Sequence, residues 1–395
     1  MSATSVFIVG GGPAGAALAL SLARRGLRPV VLEAQAAART KVGECLPPGA
    51  NALLGALGLD GRLRAAGHLP SHGNRFVWGS GEAAERDFIY GTGGAGWRLD
   101  RRRFEEDAAA AAAEAGADWR YGCRLLACSR DGRGGWRLEV ETPRGAETHR
   151  ADFVVDASGR ASRLARLLGA RRVLYDRLVG VASYFEAGGG AGGGADEDSF
   201  TLVEAVASGW WYSARLPGGR LIAVYMTDGD LLDRATARTA GGWLALLGGA
   251  GQTARRAAEG GGPRRPTAPR VLAADTSRLT RVAGEGWLAV GDAAIAHDPL
   301  ASHGITMALG SGLLAASAVS DYLGGRRDAL GEYASRIDRS FAQYLLMRRG
   351  HYLAEGRWPH EPFWRRRRGH AAGEGGAAFD VTGRREHFRE TGVRG

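Results

Sequence analysis

The chain has 395 residues, 45% of them hydrophobic, and a formal net charge of +10, which is enough to bury a large core in about two domains. Three cysteines, Cys45, Cys123 and Cys128, and the lack of CxxC or HExxH patterns argue against a disulfide scaffold and predict no metal. No apolar run reaches about 18 residues and the chain enters its first strand without a signal-like leader, so a cytoplasmic protein with no membrane span is expected. The positive charge is almost wholly arginine, and Lys41 is the sole lysine. With so many Ala and Gly residues this is a compositional skew, and it needs no nucleic-acid partner. The basic run 365–368 lacks any nucleic-acid-binding signature. It reads as a solvated surface or a contact with an acidic partner.

In chain order, Ser5-Val6-Phe7-Ile8-Val9 is a short apolar run that meets Gly10-Gly11-Gly12-Pro13-Ala14-Gly15. An Ala- and Leu-rich helix over 16–25 follows and stops at Gly26. A second apolar run, Pro29-Val30-Val31-Leu32, ends in Glu33 and Ala34. Strand, glycine turn, helix, strand and acid together predict a dinucleotide site. Gly10 allows the tight turn, Gly12 lets a pyrophosphate reach the backbone, and Gly15 lets the helix lie close on the strand. The free N–H groups of the helix start then face the phosphates. Glu33 follows Gly15 by 18 residues and is placed for the two ribose hydroxyls of an adenosine.

Lys41-Val42-Gly43-Glu44-Cys45-Leu46-Pro47-Pro48 then forms a loop. A helix is expected over 49–58, and two strands around Phe76-Val77-Trp78 and Phe88-Ile89-Tyr90. Trp97-Arg98-Leu99 precedes a long alanine-rich helix over 102–115. Strands follow at 118–121, 124–128, 136–141 and 149–155, the last ending in Asp156-Ala157-Ser158-Gly159-Arg160 before a helix. The carboxyl end of a strand next to a helix start is where open α/β sheets bind ligands. Residues 188–194, nearly all glycine, read as a flexible loop. Strands at 200–203, 209–214 and 220–227 surround the turn Leu216-Pro217-Gly218-Gly219. A helix is expected over 240–259 and a linker over 260–269. Leu288-Ala289-Val290 leads into Gly291-Asp292. His297-Asp298-Pro299-Leu300-Ala301-Ser302-His303-Gly304-Ile305 follows, then helices over 306–323 and 328–353 and a polar tail, 370–395.

The three stretches 10–33, 156–163 and 291–304 together resemble the FAD-dependent monooxygenase and flavin-dependent halogenase superfamily, which shares the FAD-binding fold of p-hydroxybenzoate hydroxylase. The resemblance implies an α/β fold: a Rossmann-like, GR2-type FAD-binding domain over 1–70, 95–168 and 271–325. An antiparallel-sheet substrate domain is inserted at 71–94 and 169–270, and a C-terminal helical segment and tail occupies 326–395. It implies FAD as cofactor. Gly10, Gly12, Pro13, Ala14, Gly15, Glu33 and Ala34 would hold its ADP half. Asp292, after Gly291, would take the ribityl chain, and Pro299, Gly304 and Ile305 would border the ring. Lys41, Gly43 and Glu44 of the flavin-contact loop, Arg98, Asp156 and Gly159 would complete the cofactor set. The middle motif departs from the Asp-Gly-x-x-Ser of aromatic hydroxylases, so their NADPH-handling role is not carried over. Val42-Gly43-Glu44-x-Leu46-Pro47-Pro48, Asp298-Pro299-Leu300-x-Ser302-x-Gly304-Ile305 and Arg357-Trp358-Pro359-x-x-Pro362-Phe363-Trp364 look like one branch, the halogenase-like flavoproteins that accompany quinone-cofactor amine dehydrogenases and amino-acid oxidases.

The implied reaction is hydroxylation of an electron-rich aromatic ring through a flavin C4a-hydroperoxide, on a small molecule or on a peptidyl or carrier-bound tryptophan or tyrosine. Electrons would come from NAD(P)H or from reduced flavin made by a separate reductase. His303, His297 and Asp298 are the catalytic candidates. His303 is either the general base or only a hydrogen-bonding neighbour of flavin and backbone. Halogenases of the superfamily need a lysine between flavin and substrate and commonly a Trp-x-Trp-x-Ile-Pro sequence; neither is evident here. Trp210 and Tyr212 share one face of a strand and Trp211 the other, so the first two line either a substrate pocket or the sheet core. Cys45, near the inferred flavin, is either a covalent attachment point or an inert thiol. Two other readings remain: a reductase acting on a prenyl chain or quinone, and a maturation partner that binds another polypeptide through residues 365–368.

Overall fold

The computed structural model describes residues 4–186, 199–258, 266–369 and 379–380. The glycine-rich stretch 188–194, most of the stretch 260–269 and nearly all of the tail lie outside these residues. The strand Val6–Val9, buried along its length, sits in a six-stranded sheet. On one side it pairs parallel with Val30–Glu33, which pairs with Asp118–Tyr121. On the other it pairs parallel with Phe153–Asp156, which pairs with Trp287–Ala289; a short antiparallel edge, Ala283–Gly284, completes the sheet. The chain leaves Val6–Val9 in one direction and returns on its other side, so a switch point opens beyond its carboxyl end. Gly10, Glu33, Asp156 and Gly291 all stand at that edge of the sheet.

The helix Pro13–Ala23 is buried on nearly every side, which explains its uniformly apolar sequence. The helix Gly304–Leu323 crosses it so closely that a Cβ on Gly312 would stand 2.7 Å from Ala14 O and 2.9 Å from Leu18 N. Arg101–Glu114 packs on the same body, its start capped by Asp100, whose carboxylate accepts from Arg103 N–H.

A seven-stranded sheet forms the second body, in the order Arg270–Ala273, Leu178–Phe185, Leu221–Asp228, Gly209–Arg215, Phe200–Val206, Gly73–Val77 and Ala84–Asp87. Its neighbours run antiparallel except Phe200–Val206 on Gly73–Val77. The period-two reading of the aromatic block holds. Trp210 and Tyr212 face one apolar cluster, and Trp211 faces another built around Trp243. Phe88–Tyr90, expected as a strand, is a 3-10 turn capped by the Asp87 carboxylate, and the strand lies just before it at Ala84–Asp87. The aromatic content of that stretch suggested a strand, but an aspartate that caps the next turn ends the ladder first. The helix expected over 240–259 is two, Ala240–Leu247 and Gly251–Ala258.

The helices Ala329–Ala354 and Pro362–Arg368 clasp both bodies. The indole N–H groups of Trp78, Trp210 and Trp364 donate to His351 O, the Tyr352 hydroxyl and Val206 O. The basic run is part of this clasp. Arg366 pairs with Asp228 and Asp230, Arg367 with Asp228 at 2.8 Å, and Arg368 donates to Glu355 O. The surface reading of 365–368 is corrected in part: Arg367 is buried and Arg368 half-buried, whereas Arg365 and Arg366 stay exposed. Among the described residues no helix is long and apolar enough to cross a membrane.

Candidate active site

At the end of Val6–Val9 the chain turns through Gly10 at φ 111°. A Cβ on Gly10 would stand 2.3 Å from Ala157 O, and one on Gly15 2.1 Å from Gly10 O. Gly12 differs, because a Cβ there would meet nothing within 4 Å. The uncapped start of Pro13–Ala23 thus faces open space, the arrangement that receives a phosphate. Gly11 N–H donates to Glu33 Oε2 and Gln35 N–H to Glu33 Oε1, both at 2.8 Å, and each oxygen keeps lone pairs for further donors. A cleft opens here between Gly11, Glu33, Arg39, Lys41, Trp119 and Tyr121. In its wall the Trp119 indole N–H is buried with no protein partner. Lys41 Nζ stands 2.6 Å from Glu105, which also pairs with Arg101. Arg101 in turn donates to Val42 O and Gly43 O, fixing the loop that carries Gly43 and Glu44.

Two arginines that the sequence reading did not single out shape the far end. Arg172, buried, donates to Asp292 O, Ser162 Oγ and Ser277 Oγ. Arg160 donates to His297 O at 3.1 Å, and its Nε lies 3.6 Å from the Asp292 carboxylate. The Asp292 side chain nonetheless keeps 38% exposure and can reach a ligand. Gly291 N–H donates to Ser311 Oγ of the helix Gly304–Leu323. Asp156 and Arg98 have different surroundings. The Asp156 carboxylate accepts from Ser158 N–H, Ser158 Oγ and Ala165 N–H, so it organises the turn holding Gly159 and Arg160. Arg98 is buried beside Pro70 O, to which it donates.

His297 is buried, its Nδ1 lacks a protein partner, and its ring meets Tyr344 edge-on. Burial pushes its pKa down to about 4, with His303 and Arg160 adding to the shift. His303, also lowered by burial and secondly by His351, is the N-cap of Gly304–Leu323. A Cβ on the following Gly304 would meet nothing within 4 Å, so that helix also starts at open space. Asp298 is not a free acid or base. Its Oδ2 accepts from the Tyr352 hydroxyl at 2.7 Å and Arg348 Nε at 3.1 Å, its Oδ1 accepts from Leu300 N–H, and its own N–H donates to the Tyr344 hydroxyl. Asp298 thus anchors the loop 297–303. Tyr344, Arg348 and Tyr352 recur every fourth residue, a stripe on one helix face that was visible in the sequence but was not given a target.

On the sheet side, Val42, Cys45, Phe76, Tyr184, Tyr212 and Leu300 are half-buried against one apolar cluster. They pack the loop 41–48, the loop after Asp298 and the sheet against one another. Trp210, read as lining either a pocket or the sheet core, is 1% exposed and wedged between Trp78 and Tyr352, which puts it in the core, whereas Tyr212 is half-buried. The Tyr212 hydroxyl stands 3.1 Å from Cys45 Sγ, which also accepts from Thr201 Oγ1. Burial pushes the Cys45 thiol up, the opposite of an activated nucleophile.

A family model described as an FAD binding domain matches residues 3–183. LodB of Marinomonas mediterranea, named as an FAD-dependent oxidoreductase, is 30% identical over 376 residues, which span 94% of this chain and 99% of LodB. This chain belongs to the FAD-dependent oxidoreductases. Two solved structures share the flavoprotein's fold. The myxobacterial chondrochloren halogenase CndH superposes with a TM-score of 0.82 at 24% identity, covering 93% of this chain and 86% of CndH. The peptidyl tryptophan dihydroxylase QhpG superposes with a TM-score of 0.76 at 26% identity, covering 94% of this chain and 80% of QhpG. FAD is the flavoprotein's cofactor, and the residues present fit it. Open backbone at Gly12 and Gly304 marks two helix starts, and partnerless buried nitrogens on Trp119 and His297 lie toward opposite ends of the site.

Proposed function

We propose that this flavoprotein is a monooxygenase that hydroxylates an electron-rich aromatic ring, presented as a tryptophan or tyrosine side chain of a peptide or carrier, using reduced FAD supplied by a separate reductase. The observation that carries this reading is the position of Lys41. The sole lysine of the chain is paired with Glu105 beside the cleft at Glu33 and Trp119. No ammonium group is therefore left to stand between the loop 297–303 and the sheet, where halogenation would need one. The likeness to a peptidyl tryptophan dihydroxylase supports the aromatic side chain as substrate.

Reduced FAD, when bound, supplies the oxygen activation; the chain binds, orients and dries it. Gly10, Gly12, Pro13, Ala14 and Gly15 receive the pyrophosphate. Glu33 and Ala34 receive the ribose, and Lys41, Gly43, Glu44, Arg98, Asp156 and Gly159 support the loops around them. Asp292 takes the ribityl hydroxyls while Arg160 and Arg172 hold its segment from behind. Pro299, Gly304 and Ile305 border the ring. His297 and His303, kept neutral by burial, offer proton-accepting nitrogens there rather than cations, and Tyr212 faces the substrate.

The test is a halide competition. The FAD-loaded protein receives a flavin reductase, NADH, oxygen, excess chloride and bromide, and a tryptophan-containing peptide, and products are read by mass spectrometry. Oxygenated and halogen-free peptide is expected. A chlorinated or brominated product would overturn the reading.

A further inference from the structure

One carboxylate–phenol pair joins the two bodies where the loop 41–48 meets the sheet, and its phenol has no role above. Glu44 lies on the loop from the FAD-binding body, and Tyr184 lies on the strand Leu178–Phe185 of the other body. The Tyr184 hydroxyl donates to Glu44 Oε1 at 2.8 Å, and Gly43 N–H donates to Glu44 Oε2 at 2.8 Å. Glu44 is 2% exposed, whereas Tyr184 is half-buried and packs against the apolar cluster around Trp210. Arg220 lies over the Tyr184 ring, 5.8 Å from its centroid. Because the only proton on the Tyr184 oxygen is directed at Glu44, that oxygen can meet a further donor only as an acceptor.

We propose that Glu44 and Tyr184 form a substrate-recognising dyad that selects aromatic rings bearing an O–H or N–H donor and takes that proton as the ring becomes nucleophilic. This rests on the aromatic-hydroxylase reading above. The donor's proton moves to the Tyr184 oxygen while the Tyr184 proton moves to Glu44 Oε1. The O–H or N–H bond of the substrate breaks, one O–H bond is exchanged at Tyr184 and one forms at Glu44. The negative charge passes from Glu44 to the ring, so the dyad gains one proton in all. Burial raises Glu44 from the ordinary carboxylate range and Tyr184 from the ordinary phenol range. Burial thus brings the carboxylate nearer the basicity of a substrate phenol and keeps Tyr184 a relay rather than a resting phenolate. A phenol or hydroxyindole suits the full transfer. For an unsubstituted indole the dyad acts as the hydrogen-bond acceptor that orients the ring.

The experiment measures binding rather than turnover. FAD-loaded protein is titrated with N-acetyl-tyrosinamide, N-acetyl-tryptophanamide and their O-methyl and N1-methyl counterparts, following the visible absorbance of the bound flavin. The wild type should favour the donor-bearing member of each pair by about tenfold or more, because a capped donor leaves buried acceptors unpaired. Tyr184→Phe should bind FAD normally and lose that preference. Glu44→Gln should reduce it and also remove the dependence of N-acetyl-tyrosinamide binding on a group titrating above the ordinary carboxylate range. Glu44→Asp is the check that packing alone is not responsible, and it should restore part of the preference. Equal preference in wild type and Tyr184→Phe, with FAD bound in both, would overturn the dyad alone. Binding of none of the four ligands by the wild type would contradict the dyad and the aromatic-hydroxylase reading together.

Discussion

The glycines of the first turn do different jobs, and substitution separates them. On Gly15 an added methyl would collide with Gly10 O, and relieving that contact moves the helix off the strand. Gly15→Ala should lower stability by about 1–3 kcal/mol, the usual cost of overpacking. Gly12→Ala has open space and should melt like the wild type without cofactor, yet bind FAD far more weakly. Thermal unfolding of the FAD-free proteins, with flavin retention on gel filtration, checks both; a Gly12→Ala protein that retains FAD would contradict the placement of the pyrophosphate. His297 makes a second residue-scale prediction. Its folded pKa of about 4 lies below the ordinary value of 6.5, so between those limits the unfolded chain binds a proton that the folded chain does not. Stability is therefore full above pH 6.5 and falls as the pH drops toward 4, by up to about 3 kcal/mol. His297→Leu should flatten that part of the pH profile of urea midpoints in the FAD-free protein. An unchanged slope would show that the imidazole titrates normally.

At the scale of elements, the C-terminal helices are wired to the loop 297–303, proposed above to border the flavin. Tyr344, Arg348 and Tyr352 converge on Asp298, and Arg348 also pairs with Asp176 at 2.8 Å. Tyr352→Phe removes one hydroxyl from this buried set, a loss of about 1–1.5 kcal/mol of positioning. It should raise the FAD dissociation constant by about tenfold in a fluorescence titration, and unchanged affinity would detach the helix from the site. The clasp at Pro362–Arg368 is unevenly strong. Arg367 and Asp228 are both nearly sealed, whereas Arg366 is 41% exposed. Arg367→Met should cost about 3–5 kcal/mol by leaving Asp228 without its buried partner, and Arg366→Ala about 1 kcal/mol or less; matched urea melts decide. Arg367 looked like surface in the sequence because its acceptor, Asp228, lies far away along the chain. Long-range pairing of this kind leaves no local spacing to read. The same holds for Asp298, whose acidity suggested chemistry until its partners were seen.

At the scale of the molecule, the parallel sheet and its glycine turn were legible because strand, turn, helix and acid are local and periodic. The alternation of Trp210, Trp211 and Tyr212 was legible for the same reason, a side-chain period of two. The junction of the two bodies was not, since Glu44, Cys45, Tyr184, Tyr212 and Leu300 meet there from separate segments and no single segment carries it. In the reading proposed above, this junction sets the flavoprotein's specificity, with the sheet supplying the acceptor at Tyr184. The central claim is that this site couples oxidation of FAD to insertion of oxygen into an aromatic ring. The direct test supplies 18O-labelled dioxygen to the protein carrying reduced FAD, with a tryptophan- or tyrosine-containing peptide, and measures the label in the recovered peptide. The account predicts one labelled oxygen atom in the aromatic side chain per dioxygen consumed in each coupled cycle. Complete reoxidation with all of the oxygen recovered as hydrogen peroxide and the peptide unlabelled would contradict it.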